Sequence, residues 1–271
     1  MEDEQRREFI RQVFNTVSEE YGQGNLRFFA NAASHLPGLL DLVGDEKVLD
    51  LAAGTGLAST MLARSLPGGS VTAIDISEGM LEKARQSADQ LGLDNIDFRQ
   101  MDMTRMDLQD NSFDVVNASF GMFFVEDIEQ LARHAVSKLK PGGRLITTHF
   151  AAGSFSPMQE LIVNRLARYG VEVPVVSWLR VDSEQANREL YQSAGLTEIT
   201  HSRNQVGYFF EDAQGWWDVV WWAGYRGFVD QVDDELSEQF RQEHLDEVNA
   251  LADDKGVRFH VEVIHTIGKK M

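Results

Sequence analysis

The sequence predicts an α/β fold built on an open, mostly parallel sheet, and three observations support this prediction. Apolar runs of strand length alternate with helical patterns between residues 47 and 151. The segment 48–56, VLDLAAGTG, connects a predicted strand to a predicted helix through a turn of small residues. A second apolar run then ends on Asp75. Such strand–helix alternation is typical of a parallel sheet with right-handed crossovers.

The individual elements follow from hydrophobic periodicity and turn residues. Residues 3–43 are expected to be largely helical. Strands are expected at 47–51, 71–75, 96–100, 113–118 and 144–150, with helices near 57–66, 78–91 and 127–139. After residue 151, helices are expected at 156–170, 183–194 and 230–253, with strands around Ile199 and at 257–267. The result is six or seven strands, the last two forming an antiparallel hairpin.

Composition limits the classes of protein that fit. A chain of 271 residues with 43% apolar residues fits one domain carrying a sizeable insertion. No apolar run approaches the ~18 residues that cross a bilayer, and the acidic start of the chain does not resemble a signal peptide. The absence of cysteine excludes disulfides and thiolate metal sites. We therefore expect a cytoplasmic protein that does not insert into membranes.

The excess of acidic residues indicates which binding partners are disfavoured. The sequence has 43 acidic and 25 basic residues, a formal net charge of −18. Such a surface repels phosphate backbones, so nucleic acid is not an expected partner.

The small-residue turn and the acid at the second strand tip predict a nucleoside site. Gly54 and Gly56 allow a ligand to approach the backbone closely. Asp75 lies 19 residues beyond Gly56. An acid in this position typically accepts hydrogen bonds from ribose hydroxyls. The sequence thus predicts a cofactor that contains a nucleoside.

Six motifs in order identify a family resemblance. They are VFNTVSEEY at 13–21, VLDLAAGTG at 48–56, AIDIS at 73–77, Met101-Asp102-Met103, NSFDVVNASFGMFFVED at 111–127 and LKPGGRLITTHF at 139–150. With these motifs the chain resembles the class I S-adenosylmethionine-dependent methyltransferases, most closely the branch with the ubiquinone/menaquinone C-methyltransferases. The resemblance covers residues 9–150 well and the remainder only in architecture.

The resemblance implies a Rossmann-like, seven-stranded, mostly parallel sheet with an antiparallel last strand and helices on both faces. It implies one domain over 1–271, with an N-terminal helical lid (1–45), a cofactor-binding core (46–151) and acceptor-side insertions with closing strands (152–271). The implied cofactor is S-adenosyl-L-methionine. The residues that the resemblance assigns to its site are Tyr21, Asp50, Ala52, Gly54, Gly56, Asp75, Ile76, Met80, Asp102, Met103, Asn117 and Ser119.

Candidate residues for catalysis are fewer. Methyl transfer from a sulfonium needs mainly alignment, and a general base only when the acceptor arrives protonated. His149 is the candidate base because it ends the fifth predicted strand; the alternative is a hydrogen-bonded histidine without chemistry. No metal-ligand spacing is present.

An aromatic acceptor pocket is also expected. Its candidate residues are Phe120, Phe123, Trp217 and Trp221, the two tryptophans being spaced to share a helix face. The alternatives for such a stripe are ordinary core packing or an oligomer contact, which leaves a homodimer open.

Three functions remain open at this point. The leading hypothesis is methyl transfer to a small apolar or aromatic metabolite. One alternative is quinone C-methylation, and another is a non-catalytic cofactor-binding protein on the same fold. A nicotinamide dehydrogenase is disfavoured because its G-x-G-x-x-G pattern is broken: Ala58 and Ser59 follow the two turn glycines.

Overall fold

The computed structural model describes residues 3–173 and 177–271. Its α-helices are α1 (Asp3–Val17), α2 (Phe28–Ala33), α3 (Leu36–Leu40), α4 (Leu57–Arg64), α5 (Glu78–Gln90), α6 (Ile128–Lys138), α7 (Met158–Arg168), α8 (Glu184–Ser193), α9 (Ala213–Trp221), α10 (Arg226–Val229) and α11 (Ser237–Asn249). Its strands are β1 (Lys47–Leu51), β2 (Ser70–Asp75), β3 (Ile96–Gln100), β4 (Phe113–Ser119), β5 (Leu139–Phe150), β6 (Leu196–Gln205), β7 (Tyr208–Phe210), β8 (Val257–Phe259) and β9 (Glu262–Lys270).

A seven-stranded sheet in the order β3-β2-β1-β4-β5-β9-β6 forms the centre of the molecule. Strands β1 to β5 are parallel, and β9 runs antiparallel to both of its neighbours, β5 and β6. The predicted mostly parallel sheet with an antiparallel last strand is therefore confirmed. The apolar run of β1 is buried from Val48 onward, as expected for a central strand covered on both faces.

Helices cover both faces of this sheet. On one face, Leu36 of α3 and Leu62 of α4 pack with Val48 and Val115. On the other, Leu131 of α6 and neighbouring side chains of α8 pack with residues of β4 and β5. Among the helices in the described parts of the chain, none is both long and apolar enough to cross a bilayer.

The prediction of one continuous strand at 257–267 is wrong. The structure divides it: β8 pairs with β7 in a separate two-stranded sheet, whereas β9 belongs to the main sheet. At the break, the carbonyl of His260 accepts the Phe155 N–H (2.7 Å) and the carbonyl of Val261 accepts the Val206 N–H (2.8 Å). The period-two pattern runs through the break, so periodicity alone does not reveal it.

Three other boundaries differ from the prediction. Strand β5 begins at Leu139, not 144, because it pairs with β4 on both sides of an irregularity in register. The N-terminal helical stretch is interrupted between α1 and α2, and Pro37 lies in the first turn of α3. The acidic helix is confined to α11, shorter than 230–253.

Candidate functional site

A cavity opens beyond the carboxyl ends of β1 to β4, under α1. It encloses about 1160 Å³ of empty space, its open mouth included. Ligand sites of open α/β sheets form at this edge. Its lining combines strand-end acids, a small-residue loop and apolar side chains from the N-terminal segment.

The loop after β1 presents bare backbone to the cavity. Gly54 lines the cavity with φ +55°, and a Cβ built on it meets no protein atom within 4 Å. Gly56 has a different role: a Cβ there would lie 2.9 Å from the Ala84 Cβ. Gly54 therefore leaves room for a ligand, whereas Gly56 allows α4 and α5 to pack closely.

Asp75, at the tip of β2, is a buried acceptor held by backbone donors. Its Oδ2 accepts the Gly54 N–H and its Oδ1 accepts the Ser77 N–H, both at 2.8 Å. Burial raises the pKa of this carboxyl, and the backbone hydrogen bonds oppose that shift. Each oxygen keeps a lone pair for a ligand donor.

Asp50, at the end of β1, is also buried and faces the cavity. It accepts hydrogen bonds from the Ser59 hydroxyl (2.5 Å) and the Asn117 amide (2.6 Å). Burial raises the pKa of Asp50 to about 6, the two side-chain hydrogen bonds oppose the shift, and the Asp75 charge adds to it. The Asp50 carboxyl therefore stays mostly ionised at pH 7.

Asp102, after β3, is tied to the N-terminal segment. Its Oδ1 accepts the N–H and the hydroxyl of Thr104, both at 2.7 Å. The Arg7 guanidinium lies 3.6 Å from its Oδ2. Farther along α1, the Asn15 Oδ1 accepts the Ser77 hydroxyl (2.6 Å). Helix α1 is thus fastened across the cavity by polar contacts at two points.

Aromatic rings form the apolar side of the cavity. Tyr21 stacks on Phe29, with ring centroids 4.9 Å apart, and Phe29 and Phe120 meet edge to face with ring centroids 5.1 Å apart. Phe14 contacts both Tyr21 (5.7 Å) and Phe124 (5.5 Å). Burial, with a contribution from the Asp75 charge, raises the pKa of Tyr21, so its hydroxyl remains a donor at neutral pH.

Most of the cofactor residues expected from the sequence come together here. The cavity is lined by Tyr21, Asp50, Ala52, Gly54, Asp75, Ile76, Met80, Asp102, Met103 and Ser119. Gly56 and Asn117 stand behind the wall, the first in helix packing and the second as a donor to Asp50. Phe120 lines the cavity as expected for the acceptor side.

His149 does not lie at the cavity, which corrects its expected placement. It is fully buried, and its Nδ1 lies 2.6 Å from the Asn187 Oδ1. The Asn187 amide nitrogen donates to the carbonyls of Val181 and Ser183, so Oδ1 accepts and His149 Nδ1 donates. Burial lowers the pKa of His149 to about 4. The neutral His149 ring therefore links β5 to α8 through its hydrogen bond to Asn187. The catalytic role of His149 stays an untested prediction.

Phe123, Trp217 and Trp221 do not line the cavity either, and their contact with an acceptor stays an untested prediction. Phe123 is buried next to His149, with ring centroids 6.1 Å apart. Trp217 stacks on Trp221 at 5.8 Å and packs against Phe240 of α11. The two tryptophans share a helix face, as predicted, but that face joins α9 to the C-terminal helices.

Sequence reasoning missed several residues of the cavity wall: Arg6, Arg7, Ile10 and Phe14 of α1, and Phe29 of α2. The apolar periodicity of α1 indicated a buried face without indicating what that face covers. Nothing in the sequence distinguishes Arg6 and Arg7 from ordinary exposed arginines.

Comparison with known proteins decides the family. A family model described as a methyltransferase domain matches residues 48–143. The ubiquinone/menaquinone biosynthesis C-methyltransferase UbiE of Cronobacter sakazakii is 32% identical over 58% of this chain and 65% of its own length. A demethylmenaquinone methyltransferase of Clavibacter sepedonicus is 42% identical over 40% of this chain and 43% of its own length. The chain thus spans less than two thirds of these two relatives.

A third relative is matched more completely. The aklanonic acid methyltransferase DauC of a Streptomyces species is 34% identical over 57% of this chain and 72% of its own length. The chain belongs to the class I S-adenosylmethionine-dependent methyltransferases. Solved structures agree in fold: the YcgJ protein of Bacillus subtilis has a TM-score of 0.60 at 19% identity, covering 89% of this chain and 98% of its own.

The residues present fit the family's cofactor, S-adenosylmethionine. That molecule carries ribose hydroxyls, an amino group on adenine, an ammonium and a sulfonium. The cavity offers the matching acceptors at Asp50, Asp75 and Asp102, together with open backbone at Gly54. Because ionised carboxylates only accept hydrogen bonds, the arrangement favours a cationic, donor-rich ligand.

Proposed function

We propose that the chain transfers a methyl group from S-adenosylmethionine to a small acceptor that enters the cavity. The observation that carries the proposal is the convergence of Asp50, Asp75 and Asp102, each at the end of its own strand, on a single cavity. A dinucleotide would bring negative phosphates towards these acids, whereas S-adenosylmethionine brings a positive sulfur.

The chain's own residues mainly align the two reactants and exclude water from them. When bound, the cofactor supplies an electrophilic methyl group on a positively charged sulfur. Asp75 and Asp102 fix the adenosyl part by accepting its hydrogen bonds, and Asp50 favours the cationic part. Holding two reactants in line can contribute ~7–11 kcal/mol to catalysis. Phe14 and Tyr21, packed over the cavity, exclude water from the acceptor.

The acceptor that suits the remaining wall is apolar or aromatic. Phe29, Phe120 and Phe124, together with Val125, give that part of the cavity an apolar surface. Rings favour offset-stacked or edge contacts with other rings, and Phe29 and Phe120 already meet edge to face.

Quinone C-methylation is the second candidate. It is supported by the names of two relatives, the C-methyltransferase UbiE and the demethylmenaquinone methyltransferase, at 32% and 42% identity. The two matches cover 58% and 40% of this chain, so the acceptor is a separate question.

The test has two stages. Isothermal titration is expected to give heat with S-adenosylmethionine and none with NAD. Cell extract incubated with the protein and methyl-labelled S-adenosylmethionine, with demethylmenaquinone in a parallel reaction, is then expected to yield a labelled small molecule by mass spectrometry. Binding without any labelled product would favour the non-catalytic cofactor-binding protein. Binding of NAD alone would refute the proposal.

The nature of other partners is inferred from charge. A net charge of −18 opposes binding to nucleic acid, so we infer a small-molecule acceptor. A homodimer and a cytoplasmic location stay predictions from the sequence.

A further inference from the structure

A row of polar side chains crosses three neighbouring strands behind the cavity. Ser119 of β4 is in register with Thr148 of β5, which is in register with His265 of β9. The two hydroxyl oxygens are 3.2 Å apart, and Thr148 Oγ1 lies 3.0 Å from His265 Nδ1. Thr148 and His265 are buried, while Ser119 lines the cavity.

The direction of the hydrogen bonds in this row follows from its other end. An ionised Asp50 only accepts, so Asn117 turns its amide N–H towards Asp50 and its Oδ1 towards Ser119. The single hydroxyl proton of Ser119 goes to that Oδ1, at 3.2 Å. Thr148 must therefore donate to Ser119, and His265 Nδ1 must donate to Thr148.

The far end of the row favours the same direction. His265 Nε2 is buried and has no hydrogen-bond partner among the described residues. An orphaned buried N–H is rarer than an under-satisfied acceptor, which favours the tautomer with its proton on Nδ1. The titratable group that faces His265 is His35, with ring centroids 5.8 Å apart. Burial, with a contribution from His35, lowers the pKa of His265 to about 4, so the ring is neutral at pH 7.

We propose that Thr148 and His265 are positioning residues: together with Asn117 they hold Ser119 so that its hydroxyl proton points to Asn117 and only a lone pair faces the cavity. The inference rests on the proposed function, because the ligand it concerns is the sulfonium cofactor. A lone pair at this wall favours a cation or a donor. This row of hydrogen bonds therefore strengthens the preference for S-adenosylmethionine over its neutral thioether product, S-adenosylhomocysteine.

The first test is direct and needs no ligand. Proton–nitrogen correlation spectra of histidine-labelled protein at neutral pH should show His265 protonated on Nδ1 and bare on Nε2. A proton on Nε2 would mean that Thr148 donates to His265, which overturns the proposed direction. This measurement stands even if the protein binds neither form of the cofactor, an outcome that would refute only the proposed function.

The second test uses a matched pair of variants. Thr148→Val removes the hydroxyl at nearly constant shape, whereas Thr148→Ser keeps it. Titration should show S-adenosylmethionine binding weakened about 3- to 10-fold in T148V, the range of one neutral hydrogen bond, with a smaller change for S-adenosylhomocysteine. T148S should resemble the wild type. Equal losses for both ligands in T148V, or no loss, would overturn the inference.

Discussion

Replacing Asp75 with asparagine is the sharpest test of the ribose assignment. The substitution keeps the shape of the side chain and removes its charge. In the wild type both oxygens accept backbone N–H groups at 2.8 Å, from Gly54 and Ser77. In D75N one of these N–H groups would face the NH₂ of the new amide, so one hydrogen bond is lost in the free protein and one ligand acceptor is lost in the complex.

The expected size of the effect follows from the charge of the group. Hydrogen bonds to a charged partner contribute ~1.5–3 kcal/mol, and 1.4 kcal/mol corresponds to a tenfold change in Kd. We therefore expect the Kd for S-adenosylmethionine to rise about 10- to 150-fold in D75N, measured by isothermal titration. Asp97→Asn on the neighbouring strand is the matched control, because Asp97 is exposed and pairs only with Arg99 among its described contacts. A folded D75N protein with wild-type affinity would show that Asp75 does not bind the ribose.

Two predictions concern pH. The pKa of Asp50 is about 6 without ligand, and a cation beside it lowers that pKa, so affinity for S-adenosylmethionine should rise as pH increases through about 6 and then level off. Asp50→Asn should flatten this profile in titrations from pH 5 to 8; an unchanged profile would contradict the assignment. Burial lowers the pKa of His149 to about 4, below the 6.5 of an exposed histidine, so its contribution to stability is present above pH 6.5 and lost as pH falls towards 4. His149→Phe should therefore reduce the loss of Tm at acidic pH while leaving cofactor affinity unchanged. A variant with the wild-type Tm at every pH would show that the hydrogen bond between His149 and Asn187 does not stabilise the fold.

The core of the fold could be predicted from sequence because its signals are local. The apolar run into the turn at Gly54, and the acid that closes β2, each carry their meaning within a few residues. Strand β9 shows the limit. Its insertion between β5 and β6 depends on long-range contacts, of which those with β5 join residues more than a hundred apart in the chain, and the break at His260 leaves the alternating pattern intact.

The candidate site shows the same division. Acids at strand ends were predictable because parallel strands bring their carboxyl ends to one edge. Whether His149 faces the cavity or α8 depends on which face of β5 it occupies, and a side chain at a strand end gives no sign of that. The packing of the α9 tryptophans against another helix is not predictable, because an aromatic stripe has the same spacing whether it contacts a substrate or a helix.

A crystal structure of the chain with S-adenosylhomocysteine would show directly whether the cavity holds the cofactor. We predict that the ligand lies in the cavity beneath α1, with its ribose at Asp75 and its adenine towards Asp102. A ligand bound elsewhere, or with its ribose away from Asp75, would contradict it.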